Sequence, residues 1–263
     1  VLIAGPSCAG NTTSAKRLGI HLRVNGLRPV MLSTDDYFVG DEANPVDENG
    51  NRDYEHIKAL DLAMFNEHLT ALLAGKPIRR RKFDFATKSP IYTTEELVLG
   101  ERDVLIIEGI HGLNPMLTAD VPRENKFLIY LSALTQLDID DNNILSTTDN
   151  RLIRRLVRDL LFRKHSALDT IRMWPSVRQG EERWIFPFQD EADISFNTAL
   201  DYEIAVLRPF VEPLLSEIKP HNPEYATARR LQEVLGNFHP ISPTAVPGDS
   251  ILREYIGGSL LKY

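Results

Sequence analysis

Residues 5–13, Gly-Pro-Ser-Cys-Ala-Gly-Asn-Thr-Thr, carry the groups in this chain best suited to chemistry. A short apolar run, Val1 to Ala4, precedes them, and a helical pattern from Thr12 through Ser14, Ala15, Lys16, Arg17 and Leu18 follows. A strand, a tight loop and a helix N-terminus aim several backbone N–H groups at one point, where the helix dipole also favours negative charge. The result is a phosphate cradle. Its spacing follows G-x-x-x-x-G-K-[ST], with Asn11 where the pattern has lysine. Further along, Asp35 and Asp36 precede Tyr37 and Phe38, a pairing that could give a base for an alcohol and a platform for a ring. Glu108 ends the apolar run Val104 to Ile107, and an acid so placed can orient a hydrated Mg²⁺ opposite a phosphate loop. Each of these also has a plainer reading: a Gly-Pro turn before a helix, or a turn or capping pair of carboxylates.

The clearest basic constellation is Arg151, Arg154, Arg155 and Arg158, at i, i+3, i+4 and i+7 on one helical face. Ile153, Leu156, Val157 and Leu160 have the same spacing on the opposite face. One side is therefore expected to pack on the core and the other to display guanidiniums for phosphate, with Asp159 the only nearby acid. Arg163, Lys164 and His165 carry the positive charge on into a lid.

The elements that must hold these groups read as follows. Val30 to Ser33 is a second parallel strand whose carboxyl end carries the Asp35 turn, the end at which open parallel sheets bind ligands. Residues 40–56 are a polar loop, and Leu62, Phe65, Leu69, Leu72 and Leu73 mark a helix that stops at Gly75-Lys76-Pro77. Residues 78–99 are a hairpin excursion, Ile78 to Phe85 and Ile91 to Leu99, turning at Ser89-Pro90; its basic run Arg79 to Lys82 is a solvated surface that could also attract an anion. Asp103 to Gly109 and Phe127 to Leu131 are central strands. Residues 149–190 hold the arginine helix and lid, and Ala192 to Phe196 is a last strand. Pro209, Pro213 and Pro220 are expected to break the following stretch into short helices, and Ala226 to Leu235 is one more. The proline-rich stretch 240–247 reads as a linker before a docking helix at Ser250 to Ile256. The organisation expected is one domain over 1–239 with a C-terminal linker and docking helix over 240–263. Its class is α/β: a parallel sheet with helices on both faces, a small β-hairpin excursion and a helical lid.

Composition narrows the function classes. The chain has 263 residues, 43% apolar and 25% charged, as in soluble globular proteins. A net charge of −7 speaks against a nucleic-acid partner, and no run of about 18 apolar residues is present to span a membrane. No signal peptide is visible and Cys8 is the single cysteine, which fits a reducing cytosol and a cytoplasmic location. The seven histidines lack metal-ligand spacing, so no zinc site is expected. The absence of an initiator Met suggests a domain cut from a longer chain, and a homo-oligomer is compatible with the sequence.

The segments GPSCAGNTT, LSTDDYF, the loop with Tyr54-Glu55-His56, KFDF, DVLIIEGIHGLNP, TTDNRLIRRLVRD and SALDTIRMWPSVRQGE occur in the order found in one family. Together they resemble the uridine kinase / phosphoribulokinase family of P-loop kinases, most closely its bacterial uridine kinase-like nucleoside kinases, over nearly the whole chain. The resemblance implies ATP and Mg²⁺ as cofactors and phosphoryl transfer to the 5′-hydroxyl of a nucleoside such as uridine or cytidine. Gly5, Pro6, Ser7, Cys8, Ala9, Gly10, Asn11, Thr12 and Thr13 would form the ATP phosphate loop, with Thr12 and Glu108 the Mg²⁺ ligands, Glu108 through water. Asp35 would accept the hydroxyl proton. Tyr37, Phe38, Glu55 and Phe83 would shape the nucleoside pocket, Arg155 and Arg158 would engage the acceptor or the transferring phosphate, and Arg163 would be a lid arginine. Departures from the family pattern are Asn11 for lysine, Lys164-His165 for Gly-Arg, and Phe83 for a common tyrosine. The amide of Asn11 donates a hydrogen bond but carries no charge, a loss that commonly costs ~10²–10³ in rate. Three readings stay open: a slowed nucleoside kinase, a nucleotide-binding regulatory module with little turnover, and a kinase of another small alcohol.

Overall fold

The computed structural model describes residues 1–262 apart from 48, 49, 85, 86, 137 and 142. Phe85, the expected end of the first hairpin strand, lies outside the described residues. The chain runs through β1 (Leu2–Ala4), α1 (Asn11–Val24), β2 (Arg28–Ser33), α2 (Leu62–Leu73), β3 (Ile78–Asp84), β4 (Ser89–Leu97), β5 (Asp103–Glu108) and β6 (Leu128–Ser132). It continues through a short ribbon, β7 (Asp138–Asp140) and β8 (Asn143–Ile144), then α3 (Thr147–Arg158), α4 (Ala167–Trp184) and β9 (Ile194–Asn197). The last helices are α5 (Glu203–Ser216), α6 (Tyr225–Gly236) and α7 (Arg253–Ile256).

The expected α/β class is present as a parallel central sheet with helices, its strands ordered β2-β5-β1-β6-β9. β5 pairs in parallel with β1 and β2, and β1 in parallel with β6. Leu105 to Ile107 are all buried, which is why this strand reads as an unbroken apolar run rather than an alternating one. β3 and β4 form the antiparallel hairpin, separate from the main sheet.

The chain forms two compact units. The first comprises Val1–Pro6, Ser14–Tyr130 and Gln179–Phe196. Its core joins sheet residues Leu2, Val30, Leu105, Ile107 and Leu128 to Phe65, Leu69 and Leu72 of α2. The second comprises Ser7–Thr13, Leu131–Arg178 and Asn197–Tyr263. There Leu152, Ile153, Leu156 and Val157 of α3 pack with residues of α5 and α6 and with Ile251, Leu252 and Tyr255 near the C-terminal end.

Three expectations are corrected. Pro209 and Pro213 do not break the chain into short helices: α5 runs through both. Pro209 has no N–H for the Ala205 carbonyl, and the Ile241 N–H takes that acceptor at 3.0 Å, so the carbonyl that Pro209 frees is satisfied from outside the helix. Leu160 lies past the end of α3 and is exposed rather than packed, because the backbone widens into a π-type turn over Asp159–Arg163 that rotates it out of the apolar stripe. The arginine face of α3, expected on display, is itself buried: Arg151 and Arg154 are almost inaccessible, for reasons given below.

At the end of β5, Gly109 adopts φ +146°, and a Cβ placed on it would stand 1.8 Å from Thr34 Oγ1. Gly109→Ala is expected to lower stability by about 1–3 kcal/mol from backbone strain alone. Gly40, with φ −61° and open space around it, should accept alanine with little change. Urea midpoints of the two variants at equal m-value check this.

Candidate functional site

Within the second unit, α3 and its neighbours grip the carbonyl side of the loop at residues 7–10. The Arg151 guanidinium donates to the Ser7 carbonyl at 3.0 Å, and the Arg154 guanidinium to the Cys8 carbonyl at 3.1 Å. The Cys8 carbonyl also accepts from the Tyr255 hydroxyl at 3.0 Å, and the Ala9 carbonyl accepts from the Thr198 hydroxyl at 2.7 Å. A trans peptide plane points its N–H opposite its C=O, so the N–H groups of Cys8, Ala9 and Gly10 face away from these donors. Cys8 and Gly10 reach this path with φ of +62° and +91°. The loop thus turns a donor edge away from this grip, beside the start of α1, the geometry of an anion cradle.

The arginines are fixed by acids and rings. Arg154 is wholly buried and pairs with Glu203, its Nη2 at 2.6 Å and its Nε at 2.9 Å from the carboxylate. Asp159 is therefore not the only acid at this face; a second one arrives from α5, far along the chain. Arg155 donates to the Ser7 hydroxyl at 2.9 Å and to Asp159 at 3.2 Å, and its guanidinium lies over the Trp174 ring. Arg158 is 3.0 Å from Asp159, and Arg163, half-exposed, is 3.9 Å from it. Burial works to raise the Asp159 carboxyl, but Arg158, Arg155 and Arg163 outweigh it and hold the group below the usual carboxylate range. Lys164 closes the turn at φ +59°.

The first unit gathers the other expected residues. β2 and β5 are paired with Ser33 level with Glu108, so the Asp35 turn and Glu108 share the carboxyl edge of two adjacent strands. Thr34–Tyr37 is a single 3-10 turn capped by Ser33, whose hydroxyl accepts from the Asp35 N–H at 3.3 Å. Glu108 is buried. Burial, with the Asp35 charge adding to it, raises the Asp36 carboxyl. Phe38 lies 5.6 Å from Phe83 and 6.2 Å from Tyr54, ring centre to ring centre, so the aromatics meet. Tyr37 is instead a core residue, edge-on to Phe65, with its hydroxyl 2.8 Å from His68 Nδ1. Glu55 packs against α4: a Cβ on Gly180 would stand 2.2 Å from Glu55 Cβ. His111 is fully buried and held neutral, its pKa pushed down to about 3 by burial, with His56 adding to the effect.

Sequence reading missed Glu203, Thr198, Tyr255 and His111. Only Glu203 left a trace: an arginine that is to be buried requires an acid, but nothing in the pattern says where along the chain that acid lies.

A sequence model of the Phosphoribulokinase / Uridine kinase family matches residues 1–205. A Bacillus licheniformis protein described as a uridine kinase is 30% identical over 194 residues, covering 73% of this chain and 82% of that one. One from Halobacterium salinarum, with the same description, is 27% identical over 195 residues, covering 73% and 76%. Among solved structures, a proposed fructose transport system kinase from Silicibacter sp. TM1040 superposes with a TM-score of 0.51 at 19% identity. It covers 74% of this chain and 87% of that chain, a likeness of fold.

Two stability outcomes follow from these environments. Glu203→Ala strands the buried Arg154 guanidinium and should cost about 3–5 kcal/mol in urea unfolding. For Asp36 the folded pKa lies above the unfolded one, so the folded state holds the proton longer and stability falls as pH rises through the raised value. Asp36→Asn should therefore melt higher than the parent at pH 7, with the gap closing below about pH 4.

Proposed function

The chain belongs to the phosphoribulokinase / uridine kinase family, and on that premise we propose that it transfers the γ-phosphoryl group of ATP to the 5′-hydroxyl of a pyrimidine nucleoside. The observation that carries this reading is the commitment of the Ser7, Cys8 and Ala9 carbonyls, which leaves a row of N–H donors suited to phosphate. The uridine kinase descriptions of the relatives support a nucleoside as acceptor.

The residues present fit Mg·ATP: an N–H cradle at a helix N-terminus suits phosphates, and hydroxyl and carboxylate oxygens suit a hard cation that keeps much of its water. Bound, it supplies the transferable phosphoryl group and offsets charge between the phosphates. The Cys8, Ala9 and Gly10 N–H groups donate to phosphate oxygens, with Gly5, Pro6, Asn11 and Thr13 completing the loop. Thr12 holds the cation directly and Glu108 through water. Asp35 accepts the proton of the acceptor hydroxyl. Phe38, Phe83 and Glu55 line the acceptor pocket, and Tyr37 supports the Asp35 turn from the core. Arg155, Arg158 and Arg163 counter charge on the transferring group, a role in which position and electrostatics supply most of the rate.

Asn11 supports a second reading, a nucleotide-binding module with little turnover, because the loop lacks the charge that a lysine would bring. ADP release from Mg·ATP, measured across a panel of nucleosides and small polyols, tests both. Turnover with uridine or cytidine is expected, reduced about 10²–10⁴-fold in Asp35→Asn and raised about 10²–10³-fold in Asn11→Lys. ATP binding with no turnover by parent or Asn11→Lys with any acceptor would establish the binding module instead.

A further inference from the structure

The family match ends at residue 205, yet the stretch beyond it returns to the phosphate loop within the second unit. Three contacts make the return. The Tyr255 hydroxyl donates to the Cys8 carbonyl, as described above. Ile251 Cδ1 lies 2.0 Å from the point where a Cβ on Gly10 would stand, so the loop and the C-terminal segment touch with no room for a side chain. The Glu254 carboxylate accepts a short hydrogen bond from the Thr13 hydroxyl and a longer one, 3.4 Å, from the Thr13 N–H.

This segment is built into the fold. Leu252 and Tyr255 are fully buried, and the Arg253 guanidinium donates to the carbonyls of Pro243 and Val246 at 2.9 and 2.6 Å. The frame thus brings Glu254 to Thr13. The place matters. Thr13 is the third residue of α1, and its N–H is one of the donors that a helix leaves unsatisfied at its start. An N–H and a hydroxyl together at a helix N-terminus are what a phosphate oxygen takes up, and a carboxylate oxygen matches it in charge and acceptor chemistry. Two anions cannot share that donor pair: at such separations they repel strongly away from bulk water.

We propose that Glu254 is an internal occupant of the phosphate loop, holding the Thr13 donors that a nucleotide phosphate needs and leaving them when the nucleotide binds. The inference rests on the nucleotide reading of the loop given above. An alternative place for the carboxylate is at hand: Glu254 also borders a cavity of about 410 Å³ lined by Arg158, Arg253 and Lys262. The two positions make the segment a switch between a closed loop and an open one, and apparent nucleotide affinity falls in proportion to the open fraction.

The experiment is calorimetric titration of Mg·ATP and Mg·ADP into the parent, Glu254→Gln and Glu254→Ala, with thermal melts to establish that each is folded. Amide exchange across 250–257 in the parent, with and without ATP, is followed alongside. Both variants should bind nucleotide about tenfold or more tightly than the parent, the loss of one charge-assisted competitor, and exchange in the parent segment should rise on ATP binding. Nucleotide binding by all three proteins with unchanged or weaker affinity in the variants would overturn the proposal, making Glu254 a structural cap on α1, and would leave the kinase reading intact. So would a parent segment whose exchange stays constant or falls on ATP binding. No nucleotide binding by any of the three would overturn the nucleotide reading of the loop, and this inference with it.

Discussion

The second unit depends on where the carbonyls of one short loop find their donors. A phosphate loop needs its N–H groups turned one way, and a peptide plane then turns its carbonyls the other way, toward the protein. Buried carbonyls must be satisfied, and here Arg151, Arg154, Thr198 and Tyr255 satisfy them. Two of these donors are charged, so the requirement propagates: Arg154 needs Glu203, and Glu203 needs a position at the start of α5. A local demand of three peptide planes thereby fixes α3, α5 and α7 in relation to one another. The arginine row is buried because its work is structural before it is anything else.

Much of this was legible in the sequence. Each apolar run that ends in a polar or acidic residue is a strand, because a doubly buried parallel strand can be made in few other ways. The register that sets Ser33 level with Glu108 was not legible, because two apolar runs do not state which residues pair. Helical spacing likewise identified α2 and α3. What spacing could not convey was the destination of polar groups. An i, i+3, i+4, i+7 row of arginines looks the same whether it faces water or a loop carbonyl, since periodicity encodes sidedness and not partners. Pro209 in α5 misled for the same reason: the rule that a proline breaks a helix assumes that nobody collects the freed carbonyl, and Ile241 collects that of Ala205. Tyr37 reads as one of an aromatic pair, yet a 3-10 turn sends it inward toward Phe65 and its neighbour Phe38 toward Phe83.

The C-terminal segment changes how the domain is to be regarded. Read as a linker and docking helix, residues 240–263 would be an accessory. Ile251, Leu252 and Tyr255 belong instead to the hydrophobic core of the second unit, and the Ile241 N–H satisfies the Ala205 carbonyl of α5. The stretch past the family match is therefore part of what shapes the loop inside that match.

Asp159 offers a last consequence. One buried carboxylate is shared by Arg155, Arg158 and Arg163, so these guanidiniums draw on a common partner. An arginine that turns toward another anion leaves more of the carboxylate to the remaining two and tightens their hold. The three cannot switch independently. Their replacement in combination will depart from the sum of the single effects, so that the row behaves as a single polyvalent cation with internal exchange rather than as three separate charges.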